Sequence, residues 1–277
     1  MKYRLIVSDI DGTLTDQWTS VIKKNQEVLQ RLVTEQDVKF MIATGRNFRG
    51  AKPILEALDF ECWACLINGA LLLTYPELEM IHSNYLSSEE KNLILEKVIE
   101  AEGNILIYNG YERGDKVYYS NQVEHNLVMK KILETSEDKI LIEDLIEEIE
   151  HPVPVISCIG KEEKIDEIYQ NLMVYSDKFN ILKLVDQEHP GYNWLMVTRR
   201  GVDKVHGIQL VADKLGIERE EILAIGDDLN DIEMIKYAGL GIAMENGVEQ
   251  LKEAADLIAP SCSENGLARV LEDIFLK

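Results

Sequence analysis

The chain has 277 residues, 46% of them hydrophobic, and a mean hydropathy of −0.13, so we expect a packed core rather than a disordered chain. The formal net charge of −21 disfavours a surface that binds nucleic acid or anionic membranes, because both partners require clustered Lys and Arg. The longest apolar runs are shorter than the roughly 20 residues that span a bilayer, and the N-terminal one is too short for a signal peptide, which predicts a cytoplasmic protein.

The first 70 residues alternate short apolar runs with amphipathic patterns. Each apolar run is typical of a buried strand and ends in Asp, Thr-Gly or Asn-Gly, whereas the intervening segments carry apolar side chains at helical spacing. The strands are predicted over residues 3–8, 38–45 and 64–70, and the helices over 20–35 and 47–58. Strands that alternate with helices indicate a parallel sheet with right-handed crossovers.

The pattern changes after about residue 84, where strands no longer end in residues of catalytic type. Helices are predicted over 88–101, 121–135 and 161–175, and strands over 104–109, 116–120, 154–160 and 179–186. The acidic run EDLIEEIE (143–150) is interpreted as an exposed helix face. We interpret residues 85–190 as a separate α+β unit, inserted between two halves of a first domain made of residues 1–84 and 191–277.

The alternating pattern resumes near residue 192 and continues to the C-terminus. Strands are predicted at YNWLMVT, EILAIG, LGIAM and DLIAP, and helices at KVHGIQLVADKLG, DIEMIKYAG, GVEQLKEAA and residues 265–276. The fold class that follows is α/β, with a doubly wound, Rossmann-like parallel-sheet core and an inserted α+β unit.

The chain contains four cysteines, and two of them form the segment CWAC at residues 62–65. This spacing occurs in redox and zinc motifs, but no second Cys pair or His pair accompanies it, and its flanks are those of a buried strand. We therefore interpret Cys62 and Cys65 as buried thiols, and Cys158 and Cys262 as core residues as well.

Ligands of open parallel sheets bind beyond the carboxyl ends of the strands, and this chain delivers a polar set there. The set comprises Asp9, Asp11, Thr44, Gly45, Asn68, Asp227, Asp228, Asn230 and Asp231, with Lys204 at the start of a helix. Clustered carboxylates repel one another unless a cation lies among them, and a site made of oxygen ligands favours Mg²⁺. A carboxylate can also attack phosphorus, while Thr and Lys bind phosphoryl oxygens, so the set predicts phosphoryl transfer.

Four segments resemble the motifs of the haloacid dehalogenase-like (HAD) superfamily, in order and at the expected strand ends: DIDGTL (9–14), TGR (44–46), Lys204 and GDDLND (226–231). The C-terminal AGLGIAMENGVEQLKEAADLIAPSCSENGLARVLED is similar to the tail of the Cof-type branch of that superfamily. That branch carries a large α/β cap between motifs two and three, where this chain has its insertion. The resemblance covers the whole predicted core, whereas the cap matches in position and size only.

The resemblance implies a mechanism at the first motif. Asp9 corresponds to the nucleophile that attacks phosphorus, and Asp11 to the general acid for the leaving alcohol and the base for the hydrolytic water. Mg²⁺ would be bound by the carboxylate of Asp9, the backbone carbonyl of Asp11 and the carboxylate of Asp227. Gly12 would let the backbone turn sharply and approach the phosphate.

The remaining motifs imply a phosphate-binding set made of Thr44, the Gly45 amide and Lys204, with Asn230 nearby. One position departs from the branch pattern, because Val205 follows the motif-three lysine where glycine is usual.

Three further residues are assigned supporting functions. Asp231 is expected to orient Lys204, and Asp228 to assist the metal shell. Arg46 is expected either to contact the substrate or to cap local structure.

The prediction is a Mg²⁺-dependent phosphatase that hydrolyses a small phosphomonoester, such as a sugar phosphate or similar metabolite, through an aspartyl phosphate. The expected partner is this metabolite, with no nucleic acid and no membrane, and the sequence predicts no oligomeric state. A phosphotransferase or phosphomutase would use the same aspartyl phosphate. A non-catalytic phosphosugar sensor is the third alternative, and the presence of both Asp9 and Asp11 argues against it.

Overall fold

The computed structural model describes residues 2–17, 20–135, 138–186 and 188–276. This part of the chain is a mixed α/β protein with two compact units. We call Met1–Ser83 together with Asp203–Lys277 the core unit, and Asn84–Val202 the inserted unit.

The first segment of the core unit contains β1 (Leu5–Ser8), β2 (Thr15–Gln17), β3 (Ser20–Val21), α1 (Lys23–Gln36), β4 (Lys39–Ala43), α2 (Phe48–Leu58), β5 (Cys62–Leu66), β6 (Leu71–Tyr75) and β7 (Met80–Ser83). The inserted unit contains α3 (Ser88–Glu100), β8 (Asn104–Tyr108), β9 (Val117–Tyr119), α4 (Leu127–Thr135), β10 (Lys139–Leu141), β11 (Val155–Lys161), α5 (Glu162–Met173), β12 (Phe179–Val185) and β13 (Tyr192–Arg199). The second core segment contains α6 (Lys204–Leu215), β14 (Ile222–Gly226), α7 (Ile232–Tyr237), β15 (Leu240–Met244), α8 (Glu249–Ala254), β16 (Leu257–Ala259) and α9 (Gly266–Phe275).

The core sheet has the strand order β16-β15-β14-β1-β4-β5-β6-β7. Its strands are parallel from β16 to β5, which confirms the predicted doubly wound sheet, and the hairpin β6–β7 adds two antiparallel strands at one edge. The chain winds outward from β1 in both directions. The carboxyl ends of β1, β4 and β14 therefore lie side by side at the point where the winding reverses, which is where such sheets bind ligands.

The central strand β1 is buried on both faces, which explains its uninterrupted apolar sequence. Leu5 and Val7 pack in one cluster with Val211 of α6 and Met234 of α7. Ile6 points to the opposite face and is also fully buried. Helix α1 contacts both α9 and α2.

The inserted unit contains a six-stranded sheet in the order β10-β9-β8-β11-β13-β12, with antiparallel neighbours except for β9 and β10. Alternate residues of β8 face different helices. Ile105 and Ile107 lie in a cluster with apolar residues of α3 and α5, whereas Leu106 packs with Met129 of α4.

The strand at Tyr192–Arg199 was predicted to begin the second half of the core, and this prediction is wrong. In the structure β13 pairs along its length with β11 and β12, so the inserted unit extends to Val202. Apolar alternation identifies a strand but not the sheet that it joins, which explains the error.

Two other predicted helices differ from the structure. Helix α4 begins at Leu127 rather than at 121, and residues 143–150 form turns instead of an exposed helix. Leu145 and Ile149 of these turns are buried, and the fully buried Lys91 donates hydrogen bonds to both of their carbonyl oxygens. The strands β2, β3, β6, β7 and β10 were not predicted.

Three of the cysteines are buried, as predicted: Cys62, Cys65 and Cys158. Burial raises the pKa of each of these thiols to about 12, which keeps them protonated and unreactive at neutral pH. Cys262 is half-buried rather than in the core. Within the described ranges, no helix is both long and apolar enough to cross a membrane.

Candidate active site

Asp9 is the first residue beyond β1, and its backbone is hydrogen-bonded to the neighbouring strand β14. Its backbone N–H donates to the carbonyl of Ile225 in β14 at 3.0 Å, and its side chain is largely buried. The carboxylate therefore lies at the carboxyl edge of the sheet, where the winding reverses.

Lys204 joins Asp9 to the loop after β14. Its Nζ lies 2.7 Å from Asp9 Oδ1 and 2.6 Å from Asp231 Oδ1, and its side chain is only 2% exposed. Lys204 is the first residue of α6, whose start is capped by Asp203 through the N–H of His206 at 2.7 Å. Val205 is accommodated in the first turn, where its half-buried side chain packs against the core.

Asp231 has both carboxylate oxygens engaged. Oδ1 accepts from Lys204, and Oδ2 accepts from the backbone N–H groups of Asp227 at 2.9 Å and Asp228 at 3.1 Å. The fully buried carboxylate thus closes the acidic loop and directs the ammonium group of Lys204. Asp228 caps the same loop by accepting from the N–H of Leu229 at 2.7 Å.

Gly12 brings the first loop against Asp227. Its φ of +71° lies in the left-handed region, and a Cβ at this position would be 2.2 Å from Asp227 Oδ2, so no other residue fits without displacement. The next residue, Thr13, donates from Oγ1 to Asp227 Oδ1 at 3.0 Å. Sequence reasoning missed Thr13, although it stands within the DIDGTL segment.

Asp11 forms a bidentate pair with Arg46. The Nε of Arg46 donates to Asp11 Oδ2 at 2.9 Å and Nη2 donates to Oδ1, while Nη1 donates to the carbonyl of Gly50 at 2.9 Å. Both side chains are mostly buried, so the guanidinium holds the Asp11 carboxylate in one orientation.

Three of the predicted phosphate-binding residues, Thr44, Gly45 and Asn230, lie around the end of β4. Thr44 is buried, and its N–H donates to the carbonyl of Cys65 at 2.9 Å. Asn230 donates from Nδ2 to Asn68 Oδ1 at 3.0 Å, and the amide of Asn68 lies beside Gly45. The sequence pattern predicts Asn68 at a strand end without indicating a function for it, and in the structure it lies in the turn after β5.

Asn246, which was not among the predicted residues, supports the first loop. Asn246 donates from Nδ2 to the carbonyl of Gly12 at 2.9 Å, and its Oδ1 accepts from the N–H of Cys262 at 2.8 Å. Its position in the segment MENG, directly after β15, was the available signal.

Burial and mutual repulsion dominate the electrostatics of the carboxylates. Burial raises the pKa of Asp9 well above its usual value, and the charges of Asp231, Asp227 and Asp11 add to this against the opposing effect of Lys204. Burial and Asp231 likewise raise the pKa of Asp227 to about 7. Burial opposes the charge of Lys204, but Asp231 and Asp9 outweigh it and raise the pKa of this ammonium group.

The carboxylates fit a hard divalent cation. Ligand oxygens of Asp9, Asp227 and Asp231 all lie within 4.8 Å of one another. Both oxygens of Asp231 accept hydrogen bonds. Among these three carboxylates, Asp9 Oδ2 and Asp227 Oδ2 are the oxygens that accept no hydrogen bond from the described residues. An all-oxygen site of this kind suits Mg²⁺, and a cation there would relieve the repulsion that raises both pKa values.

Comparisons with known proteins agree with this geometry. The family model described as haloacid dehalogenase-like hydrolase matches residues 6–271. A Haemophilus influenzae protein, provisionally named a phosphatase, is 30% identical over 275 residues, which cover 99% of each chain. The Bacillus subtilis protein YitU, named 5-amino-6-(5-phospho-D-ribitylamino)uracil phosphatase, is 27% identical and covers 99% of this chain and 98% of its own.

A solved structure gives the same assignment. A haloacid dehalogenase-like hydrolase from Bacteroides thetaiotaomicron is 30% identical and superposes with a TM-score of 0.82, covering 99% of this chain and 100% of the other. The family match spans both segments of the core unit, including Asp9, Lys204 and Asp231. The chain therefore belongs to the Cof-type branch of the haloacid dehalogenase-like hydrolases and is a phosphoric monoester hydrolase.

Proposed function

We propose that this phosphatase is a Mg²⁺-dependent cytoplasmic enzyme that hydrolyses a small phosphomonoester, such as a sugar phosphate, through an aspartyl phosphate at Asp9. The observation that carries the proposal is the placement of Asp9. Its carboxylate lies at the ligand-binding edge of the sheet, with one oxygen bound by Lys204 and the other without a hydrogen-bond partner among the described residues.

The first chemical step is attack of the Asp9 carboxylate on phosphorus as the bond to the leaving oxygen breaks. Protonated Asp11 gives its proton to that oxygen, which leaves as an alcohol. Lys204, Thr44 and the Gly45 amide bind the phosphoryl oxygens, whose charge is spread over three positions in the transition state.

In the second step Asp11, now a carboxylate, takes a proton from water as the water oxygen attacks phosphorus. The bond between phosphorus and Asp9 breaks, which releases inorganic phosphate and regenerates the Asp9 carboxylate. Arg46 donates to both oxygens of Asp11 and so holds the carboxylate, the form that accepts the proton from water, in one orientation.

The metal would be held by the carboxylates of Asp9 and Asp227 with the backbone carbonyl of Asp11, and Asp228 would assist from the neighbouring position. When bound, Mg²⁺ would neutralise charge on the phosphoryl oxygens and on the carboxylates. The two carboxylate oxygens that lack hydrogen-bond partners among the described residues support this ligand set.

The substrate is proposed by chemical class only. Sugar phosphates, nucleotide precursors and pyridoxal phosphate are candidate substrates. The name of the relative YitU suggests a further candidate, a pyrimidine that carries a phosphorylated sugar alcohol. We also propose that the inserted unit is a cap that determines which leaving group is accepted.

The test is phosphate release from a panel of these metabolites, with Mg²⁺ and with EDTA. We expect turnover that requires the metal and disappears in Asp9→Asn. Near-wild-type turnover by Asp9→Asn would refute the nucleophile. Transfer of phosphate to an added sugar alcohol rather than to water would favour a phosphotransferase, and phosphate-ligand binding without turnover in the wild type would favour a sensor.

A further inference from the structure

The turn that follows β5 has an unusual backbone. Ile67, Asn68 and Gly69 have φ angles of +51°, +52° and +108°, so three successive residues lie in the left-handed region. Asparagine tolerates this conformation, but it is unfavourable for a β-branched residue such as Ile67. Such strain persists where the surrounding structure requires it, and it is common beside functional sites.

The backbone of this turn is bonded to the predicted phosphate-binding segment. The N–H of Ile67 donates to the carbonyl of Arg46, and the N–H of Asn68 donates to the carbonyl of Thr44, both at 2.9 Å. The position of Thr44 and of the peptide groups around Gly45 therefore depends on the left-handed turn.

The same turn lies against the start of the helix that carries Lys204. A Cβ at Gly69 would be 2.2 Å from the backbone oxygen of Asp203, the residue that caps α6. Only glycine permits this approach, and its φ of +108° is also one that other residues rarely adopt.

The side chain of Asn68 contacts Asn230, in the acidic loop that follows β14. Its Oδ1 accepts from Asn230 Nδ2 at 3.0 Å, and both of its amide atoms lie 3.5 Å from the position of a Cβ on Gly45. This pairing fixes the amide of Asn230, while Asn68 Nδ2 has no hydrogen-bond partner among the described residues.

We propose that Asn68 is a positioning residue of the phosphate site, which holds the Asn230 amide and the Gly45 peptide where phosphoryl oxygens bind. This inference rests on the proposed function, because it assigns phosphate to that position. Loss of the side chain should weaken phosphate binding by about tenfold, which is the usual effect of removing a hydrogen bond near a charged ligand.

The test separates the backbone of the turn from the side chain. Asn68→Gly keeps a residue that adopts positive φ freely and removes the amide, whereas Asn68→Asp keeps the acceptor for Asn230 and adds a negative charge. Asn265 is a matched control, since it also has a left-handed φ, +59°, in the core unit, and its side chain does not cap the following helix α9. Asn265→Gly and Asn265→Asp should bind phosphate like the wild type.

The readouts are the Kd of inorganic phosphate by calorimetry in the presence of Mg²⁺, KM and kcat with p-nitrophenyl phosphate, and the melting temperature. We expect Asn68→Gly to raise Kd and KM about tenfold with a much smaller change in kcat, and Asn68→Asp to raise them further. Wild-type Kd in both Asn68 variants would overturn the inference. Unfolding of both variants would also overturn it in favour of a purely structural function.

The phosphate-binding readout keeps this inference distinct from the proposed function. If the wild type binds phosphate but shows no turnover, the proposed hydrolysis fails while the Asn68 comparison still gives a result. If Asp9→Asn abolishes turnover as expected and the Asn68 variants bind phosphate normally, only the Asn68 inference fails.

Discussion

The Nζ of Lys204 lies 2.7 Å from Asp9 Oδ1, although the two residues are 195 positions apart in the chain. The ammonium group is almost completely buried and has Asp231 as its second carboxylate partner, at 2.6 Å. A buried cation with two carboxylates is stable only while all three remain, so this contact links catalysis to folding.

Replacing Lys204 by Met should remove activity and destabilise the fold. The two buried carboxylates would lose their partner, which typically costs about 3–5 kcal/mol of unfolding free energy. Adding Asp231→Asn should restore part of the stability without restoring activity, as measured by urea unfolding and by p-nitrophenyl phosphate hydrolysis. Lys23→Met is the control, because the pair of Lys23 with Glu27 is exposed. Full activity in Lys204→Met would contradict the assignment.

Arg46→Lys should lower kcat more than it raises KM. Lysine keeps the positive charge but cannot form the bidentate contact that orients Asp11, so general acid–base catalysis should fall by about 10²-fold or less. Steady-state kinetics with substrates of poor and good leaving groups measure this, and the loss should be larger for the poor ones. Arg31→Lys, which alters an exposed ion pair with Glu35, should behave like the wild type.

The stability of the metal-free protein should depend on Asp227. Its pKa is about 7 in the folded protein and about 3.9 in an unfolded chain. Between these values the folded state holds the proton more strongly, so the Asp227 contribution to stability declines as pH rises from about 4 to about 7.

Mg²⁺ should reverse this decline, because it stabilises the ionised carboxylates. The rise in melting temperature on adding Mg²⁺ should therefore be larger at about pH 8 than at about pH 5, and it should be much smaller in Asp227→Asn. An equal Mg²⁺ effect at both pH values, or one that survives in Asp227→Asn, would argue against Asp227 as a ligand.

The cysteines should take no part in catalysis. Since burial keeps Cys62, Cys65 and Cys158 protonated, a thiol reagent should modify no more than one cysteine in the native protein and four after denaturation. Cys62→Ala should retain kcat and KM, as measured with p-nitrophenyl phosphate. Loss of turnover with an intact fold would revive the redox or metal interpretation of the CWAC segment.

The sequence was most informative where chemistry is carried by residues at strand ends. Asp9, Thr44 and the acidic loop each follow an apolar run directly, so the sheet topology alone predicts that they meet. The C-terminal boundary of the inserted unit was less predictable. An apolar pattern such as that of β13 identifies a strand but does not indicate which sheet the strand joins.

Apart from the contact of Asp231 with Lys204, which the resemblance implied, partnerships between distant side chains were not predicted. The hydrogen bond of Thr13 with Asp227 and the bidentate pair of Arg46 with Asp11 depend on the exact approach of separate loops. The same holds for Asn68, whose left-handed backbone follows from its contacts with residues of other segments.

The most direct test of the account is chemical identification of the phosphorylated residue. Asp11→Asn should still be phosphorylated by acetyl phosphate, whose leaving group needs no proton, but should release phosphate slowly because the general base is missing. Borohydride reduction followed by peptide mass spectrometry should then convert Asp9 alone to homoserine, and Asp9→Asn should show no such product. Modification of another residue would contradict an aspartyl phosphate at Asp9. The absence of homoserine at position 9, while the wild type still hydrolyses substrate, would contradict it as well.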